Sequence, residues 1–124
     1  MIEYIEIDEA LRIHEVLLQE FGGAPGVRDL GLLDSALNRP KSGYYSDVTE
    51  EAAALWESLA MNHPFIDGNK RVAYAVTELF LQLNGLDIAR DNTEIETFIY
   101  SNLEAGTFTK DVLDAWLRAN TEPL

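Results

Sequence analysis

The sequence predicts an all-α protein, a compact bundle of about six helices that forms a single domain over residues 1–124. Apolar residues recur at intervals of three and four through nearly the whole chain, which is the period of a half-buried helix. Most of these stretches begin near an Asp or Thr that can cap a helix, and most end near Gly or Pro. With 124 residues, 47% of them hydrophobic and 25% charged, the chain has the size and composition of one globular domain.

The first two helices are predicted from their caps. After a short alternating segment, Asp8 is expected to cap a helix that ends where the Gly- and Pro-rich loop of residues 22–27 (GGAPGV) begins. The residues expected on its buried face are Ala10, Ile13, His14, Leu17, Leu18 and Phe21. Asp29 then caps a short helix that Pro40 closes, because proline cannot continue a helix. Its apolar residues are Leu30, Leu33 and Leu37.

Two helices are predicted in the middle of the chain, on either side of a polar loop. Thr49, followed by two glutamates, starts the third helix, which runs into His63-Pro64. The fourth starts near Asn69 and ends at Asn84-Gly85 with a left-handed cap. The residues expected to face inward are Ala52, Leu55, Trp56 and Leu59 on the third helix, and Val72, Val76, Leu79, Phe80 and Leu83 on the fourth.

Two more helices complete the predicted bundle. Asp91 and Glu94 are spaced as a capping pair for the fifth helix, which Gly106 closes. The sixth starts at about Thr109. Their apolar faces are Ile95, Phe98, Ile99 and Leu103 on the fifth helix, and Val112, Leu113, Trp116 and Leu117 on the sixth.

Composition excludes several classes of function. The formal net charge of −13 disfavours direct, non-specific nucleic-acid binding, which needs many basic contacts to phosphate. The absence of cysteine excludes disulfides, thiolate zinc sites and cysteine nucleophiles. No apolar run reaches the roughly 18 residues of a membrane span, and the acidic N-terminal segment does not resemble a signal peptide. We therefore expect a cytoplasmic protein without a membrane partner.

Residues 63–71 (HPFIDGNKR) concentrate chemically active side chains between the third and fourth helices. A helix that opens at Gly68-Asn69 presents unpaired backbone N–H groups, to which Lys70 and Arg71 add positive charge, so an anion site is predicted there. Asp67 can hold Mg²⁺, which takes one or two carboxylates together with phosphate oxygens.

The same segment supplies a base and an anchor. His63 is the candidate base, because a histidine imidazole can accept a proton from a hydroxyl group near neutral pH. Phe65 is expected to point inward and pin the loop to the core. These parts together predict phosphoryl or nucleotidyl transfer from a magnesium–nucleotide complex to an alcohol. The loop of residues 22–27 is not a phosphate-binding loop, because it lacks the required lysine and hydroxyl residue.

HPFIDGNKR resembles the HxFx[DE]GNxR motif of the Fic/Doc family, and a lysine after the asparagine is similar to its Doc (death on curing) branch. Residues 12–40 also resemble the N-terminal half of Doc-type proteins. The resemblance implies the Fic/Doc fold, ATP and Mg²⁺ as cofactors, and a role for each motif residue. The candidate catalytic residues are His63 as base, Asp67, Lys70 and Arg71; the candidate cofactor-binding residues are Phe65, Gly68, Asn69, Lys70 and Arg71, with Asp67 as the metal ligand.

Two departures from the adenylyltransferases of this family bear on the reaction. Lys70 stands where those enzymes have a second glycine, and Tyr74 where they have a second arginine. The resemblance to Doc proteins implies transfer of the γ-phosphate of ATP to a threonine of elongation factor Tu by a toxin that halts translation. Nucleotidyl transfer is the first alternative, and a binding module without catalysis is the second.

The resemblance also implies regulation by a cognate antitoxin. No glutamate in the chain is followed by Gly or Asn, so the chain lacks the inhibitory [ST]xxxE[GN] helix of Fic proteins. An antitoxin segment is expected to bind as a helix in a groove.

Several residues have a simpler interpretation. We interpret His14 as a hydrogen-bonded core residue, and Trp56 and Trp116 as core packing. Tyr44 and Tyr45 are expected to cover the edge of the core rather than to contact a target. The loop of residues 22–27 is either the flap that holds a target peptide in Fic folds or a plain interhelical turn.

Overall fold

The computed structural model describes residues 1–124 and confirms the all-α prediction of six helices. The helices are α1 (Ile7–Phe21), α2 (Leu30–Asn38), α3 (Val48–Met61), α4 (Asn69–Leu83), α5 (Asn92–Ala105) and α6 (Lys110–Asn120). The remaining regular elements are a 3₁₀ turn (Arg39–Ser42) and two short strands, β1 (Leu86–Ile88) and β2 (Thr121–Pro123). None of the helices is both long enough and apolar enough to cross a bilayer.

Helix α3 is the centre of the core. Ten of its fourteen residues are buried, because α4 and α6 pack against it while α1 covers α4. Trp56 lies at the middle of α3 and is 1% exposed, with the rings of Phe108 and Trp116 packed edge-on at 5.5 and 5.8 Å. The core roles of Trp56 and Trp116 are thereby confirmed, and α3 provides a rigid support for the loop that follows it.

The predicted caps of α2 and α5 and the predicted start of α6 are correct. The side chains of Asp29, Asp91 and Thr109 accept hydrogen bonds from the backbone N–H group of the third residue of α2, α5 and α6, respectively. Gly85, which follows the Asn84 cap of α4, has a positive φ, as the predicted left-handed cap requires. Gly106 closes α5 as predicted, and it is also left-handed. These helix ends could be predicted from the sequence because capping involves only residues within one turn of each other.

The predicted starts of α1 and α3 were wrong by one or two residues. Glu6, not Asp8, is the N-cap of α1, and its backbone N–H donates to Glu9 Oε1 at 3.0 Å. Asp47, not Thr49, caps α3 and accepts a hydrogen bond from the backbone of Glu50 at 3.0 Å. Each start offers two capping residues in close succession, and tertiary packing decides which of them is used.

Two apolar residues predicted to be buried are exposed. Phe21 is 54% and Leu83 is 40% exposed. Each is the last residue of its helix, α1 or α4, so no following turn covers its side chain.

The strands were not predicted. β1 and β2 pair antiparallel, with Asp87 opposite Glu122, and so connect the end of α4 to the C-terminal segment. Each strand has only three residues, which is too short to show a period of two.

The tyrosines of the connection between α2 and α3 differ in exposure. Tyr44 is 86% exposed, so the prediction that it covers the core edge is wrong. Tyr45 is partly buried, and its hydroxyl group accepts a hydrogen bond from Arg39 Nε at 2.8 Å. The prediction therefore holds only for Tyr45, because the chain turns the side chain of Tyr44 into solvent.

An ion pair between α3 and α6 is expected to make stability depend on pH. Lys110 Nζ lies 2.6 Å from Glu50 Oε2, and this bond together with two donors of Ser46 lowers the pKa of Glu50 from 4.5 to about 2. Because the folded-state pKa is below the unfolded one, the stabilisation is complete above the unfolded value and is lost as the pH falls towards about 2.

We expect Glu50→Gln to lower the free energy of unfolding near neutral pH, and the difference from the unsubstituted protein to shrink as the pH falls through about 2. Urea denaturation at a series of pH values measures the difference. Glu104→Gln is the matched control, because Glu104 is exposed and forms no hydrogen bond or ion pair. A Glu50→Gln difference that stays constant between neutral and acid pH would contradict the prediction.

Candidate active site

The predicted motif forms the connection between α3 and α4. His63 lies just beyond the C-terminal end of α3, is exposed, and has a φ of 49°, the only positive φ at a non-glycine residue. Histidine is among the residues that tolerate this left-handed region, but the conformation still costs free energy. The loop therefore needs contacts from elsewhere in the chain to hold it.

The segment of residues 24–29 supplies many of these contacts. Arg28 donates from Nε to the His63 carbonyl oxygen at 2.6 Å and from Nη2 to the Asn62 carbonyl oxygen at 2.7 Å. The backbone N–H groups of Arg28 and Asp29 donate to the Pro64 carbonyl at 2.8 and 3.0 Å. Asn62 is the C-cap of α3, so its carbonyl has no helical partner, and Arg28 supplies a donor to it. The carbonyls of His63 and Pro64 follow the helix and receive their donors from the same segment.

Phe65 holds the middle of the loop from beneath. Its side chain is 1% exposed, and its ring stacks on that of His14 with centroids 3.9 Å apart. The buried His14 donates from Nε2 to the Asp67 carbonyl oxygen at 2.9 Å, which confirms the interpretation of His14 as a hydrogen-bonded core residue. The inward orientation of Phe65 is also confirmed, so its buried side chain is not available to a cofactor, contrary to its prediction as a cofactor-binding residue.

Asn69 closes the loop with both ends of its side-chain amide. Its Oδ1 accepts from the Phe65 backbone N–H and its Nδ2 donates to the Phe65 carbonyl oxygen, each at 2.9 Å. The amide group is therefore used within the loop, and only the backbone of Asn69 is available to an anion.

The N-terminus of α4 has the properties of an anion site. Gly68 is its N-cap with a left-handed φ of 79°, and the backbone N–H groups of residues 69, 70 and 71 have no acceptor within the protein. Lys70 and Arg71 are exposed and take part in none of the ion pairs of the molecule. Free N–H groups, the helix dipole and two unpaired cations thus coincide in one turn.

The Asp67 carboxylate lies next to this turn and is held in its charged form. Oδ2 accepts from the Ala24 backbone N–H at 3.1 Å and Oδ1 from that of Gly68 at 2.8 Å. These bonds, with smaller contributions from the charges of Arg71 and His14, hold the pKa of Asp67 below its ordinary value.

The donor set around Asp67 fits Mg²⁺ better than a metal that needs a protein cage. No group of three or more Asp, Glu or His side chains gathers anywhere in the molecule. Asp67 is exposed, and each of its oxygens accepts only one hydrogen bond, so lone pairs remain for a cation. Mg²⁺ is commonly bound by one carboxylate with phosphate oxygens and water, and phosphate is the ligand that the adjacent N–H groups favour.

A cleft of about 420 Å³ extends from the anion site between α1, α4 and α5. Lys70 Nζ lies 5.3 Å from the centre of the Tyr100 ring, and the Arg71 guanidinium 4.5 Å from that of Phe21. Tyr74, one turn further along α4, donates its hydroxyl to Glu78 at 3.1 Å, and burial together with this carboxylate raises its pKa.

Gly23 packs so closely against Asp67 that we expect no other residue to fit. Its φ is +120°, and a Cβ atom there would lie 2.9 Å from Asp67 Oδ2 and 3.1 Å from Leu18 Cδ2. We expect Gly23→Ala to cost roughly 1–3 kcal/mol of unfolding free energy and to displace the carboxylate. Urea denaturation measures the cost.

Gly22→Ala is the control for Gly23→Ala. Gly22 also has a positive φ, but a Cβ atom there would meet nothing within 4 Å. Both variants therefore carry backbone strain, and only Gly23→Ala adds a clash. Equal losses of stability in the two variants would show that the contact with Asp67 is unimportant.

The structure brings all predicted site residues into one loop and the first turn of one helix, and it adds residues that the sequence did not indicate. Arg28 and the backbone of Ala24 hold the loop, but they precede it by more than thirty residues, and no sequence pattern indicated that they contact it. Residues 22–27 pack against the loop, with Val27 and Phe65 forming an antiparallel bridge. That they also act as a flap for a target peptide stays a prediction.

Comparison with known proteins gives concordant matches. The model of the Fic/DOC family matches residues 4–81, which include the whole loop. "Toxin Doc" of Mycolicibacterium smegmatis (strain ATCC 700084 / mc(2)155) is 42% identical over 96 residues, 73% of this chain and 72% of that protein. "Protein kinase doc" of Escherichia phage P1 is 30% identical over 91 residues, 70% of this chain and 72% of that protein.

Proposed function

The chain belongs to the Fic/DOC family, on its Doc branch, and from this premise we propose that it is a toxin that transfers the γ-phosphate of ATP to a serine or threonine hydroxyl of a protein. The two relatives are named a toxin and a protein kinase, which supports both parts of the proposal. The observation that carries it is the open N-terminus of α4, with two unpaired cations, directly after a loop that holds an exposed histidine.

His63 is the proposed general base. A ring nitrogen takes the proton from the target hydroxyl as its oxygen forms a bond to the γ-phosphorus, and the bond from that phosphorus to the β–γ bridging oxygen breaks to release ADP. The exposure of His63 lets a protein hydroxyl approach it.

The first turn of α4 binds the phosphates in this proposal. The backbone N–H groups of residues 69–71 donate to phosphate oxygens, and Lys70 and Arg71 balance their charge. Asp67 holds Mg²⁺, which when bound neutralises charge on the phosphates. The backbone N–H groups of Ala24 and Gly68 hold the Asp67 carboxylate in place, and His14 holds the backbone carbonyl of the same residue.

Charge at the second turn of α4 supports γ-phosphoryl transfer over nucleotidyl transfer. Where the family's adenylyltransferases have a second arginine, this chain has Tyr74, whose hydroxyl bonds to the Glu78 carboxylate. A carboxylate repels phosphate, so the γ-phosphate of a nucleotide is disfavoured there. Lys70 also fills space where those enzymes have a glycine. Both features favour a nucleotide bound with its γ-phosphate towards His63.

Partners follow from the same premise. We propose that a cognate antitoxin restrains the protein, that its target is elongation factor Tu, and that it acts in the cytoplasm to halt translation. The relative named as a toxin supports the need for an inhibitor, because a cell that makes a toxin must restrain it.

The test uses ATP labelled at either the α- or the γ-phosphate, with Mg²⁺ and a cell extract as the source of target. We expect a protein band labelled only from γ-labelled ATP, at the size of elongation factor Tu. Label retained from α-labelled ATP would establish nucleotidyl transfer instead. If folded protein free of inhibitor transfers label from neither form of ATP, the proposed enzymatic activity is wrong. The interpretation as a binding module without catalysis would then remain.

A further inference from the structure

We propose that Arg28 is a positioning residue that holds His63 in the backbone conformation required for catalysis. The inference rests on the proposed function only for the role of His63 as base. The contacts on which it depends are hydrogen bonds from Arg28 to the loop, and they do not depend on the activity.

Donors of one residue converge on three consecutive carbonyl groups. The Arg28 side chain donates to the carbonyl oxygens of Asn62 and His63 at 2.7 and 2.6 Å, and its backbone N–H donates to that of Pro64 at 2.8 Å. Apart from the second bond to Pro64 from Asp29, no other hydrogen bond within the protein reaches these three oxygens. Arg28 therefore fixes the direction of the peptide groups on both sides of His63.

His63 needs such a constraint for two reasons. Its φ of 49° lies in the left-handed region, where a residue other than glycine is strained by about 1–3 kcal/mol. The following Pro64 in addition restricts the residue before it towards extended conformations. Without outside contacts, His63 would relax towards an extended conformation, which would change the direction of its imidazole ring.

The contacts require an arginine. A planar guanidinium group donates from two nitrogens in a fixed geometry, whereas a lysine ammonium is a single point charge. Arg28 is exposed and forms no ion pair, so its charge is not used to neutralise a carboxylate. Its charge-assisted bonds also stabilise the negative end of the α3 dipole.

The kinetic test compares Arg28→Met and Arg28→Lys with Arg12→Met. Arg12 is an exposed arginine of α1 that forms no ion pair, so its replacement removes the same charge without disturbing the loop. We expect Arg28→Met to lower kcat about 10- to 100-fold, the cost of misplacing a reacting group by about 1 Å, with the KM for ATP changed less than about 2-fold. Arg28→Lys should show a smaller fall, and Arg12→Met none.

A second readout needs no activity. The imidazole and backbone amide NMR signals of His63 are expected to shift and broaden in Arg28→Met and to stay unchanged in Arg12→Met. Circular dichroism shows whether each variant is folded. If Arg28→Met does not fold, the same NMR comparison is made with Arg28→Lys.

The outcomes separate the inference from the proposed function. Unchanged His63 signals and unchanged kcat in both Arg28 variants would overturn the inference. A raised KM with normal kcat would also overturn it, because Arg28 would then contact the nucleotide directly. If the unsubstituted protein transfers no phosphate, the proposed function fails, while the NMR comparison still decides whether Arg28 holds His63.

Discussion

Replacement of His63 with asparagine is expected to lower kcat for phosphate transfer by roughly 10²–10⁴-fold, which is the usual contribution of a general base. Asparagine removes the base and tolerates the left-handed conformation that residue 63 adopts, with its φ of 49°. The loop therefore keeps its shape, and the loss reports chemistry rather than folding. The measurement is the initial rate of label transfer from γ-labelled ATP to the target protein.

Nucleotide binding is the control for His63→Asn. Because the phosphates are proposed to bind to the first turn of α4, calorimetry should give the same Kd for magnesium–ATP in the variant and the unsubstituted protein. Expression in cells gives a second comparison, since His63→Asn should no longer arrest growth. A variant that still transfers phosphate at the original rate would remove His63 from the mechanism.

Replacement of Asp67 with asparagine is expected to lower the rate about 100-fold or more and to raise the Mg²⁺ concentration needed for half-maximal rate. The substitution removes the negative charge that Mg²⁺ requires while keeping the size of the side chain and one oxygen acceptor. That oxygen can still bind one of the two backbone N–H groups, from Ala24 or Gly68, that hold the carboxylate. A magnesium titration of the transfer rate measures both effects.

Asp8→Asn is the matched control for Asp67→Asn. Asp8 is exposed in the first turn of α1 and makes no hydrogen bond through its side chain, so the same charge is lost away from the site. Asp8→Asn should leave both the rate and the magnesium dependence unchanged. If Asp67→Asn shows the magnesium dependence of the unsubstituted protein, Asp67 does not hold the metal.

The helices could be predicted from the sequence because their signals are local. The spacing of Leu113 and Leu117 and the predicted start at about Thr109 define α6 within a few residues, and the helix lies where it was expected. The predictions failed where contacts with a distant part of the chain determine the local structure. The strand pairing of Asp87 with Glu122 joins segments that are far apart in sequence.

The order of residues 63–71 by itself determined that a base, a carboxylate and two cations lie within one loop and one helical turn, since their proximity follows from covalent connection. Only the tertiary structure decided how that loop is held. Arg28 reaches across thirty-five residues to His63, His14 across fifty-three to Asp67, and Ala24 across forty-three to the Asp67 carboxylate. Contacts of this kind depend on how α1 and α2 pack beside α3 and α4. No periodicity or motif encodes them, because the donors are single side chains and backbone groups whose partners are set by the fold.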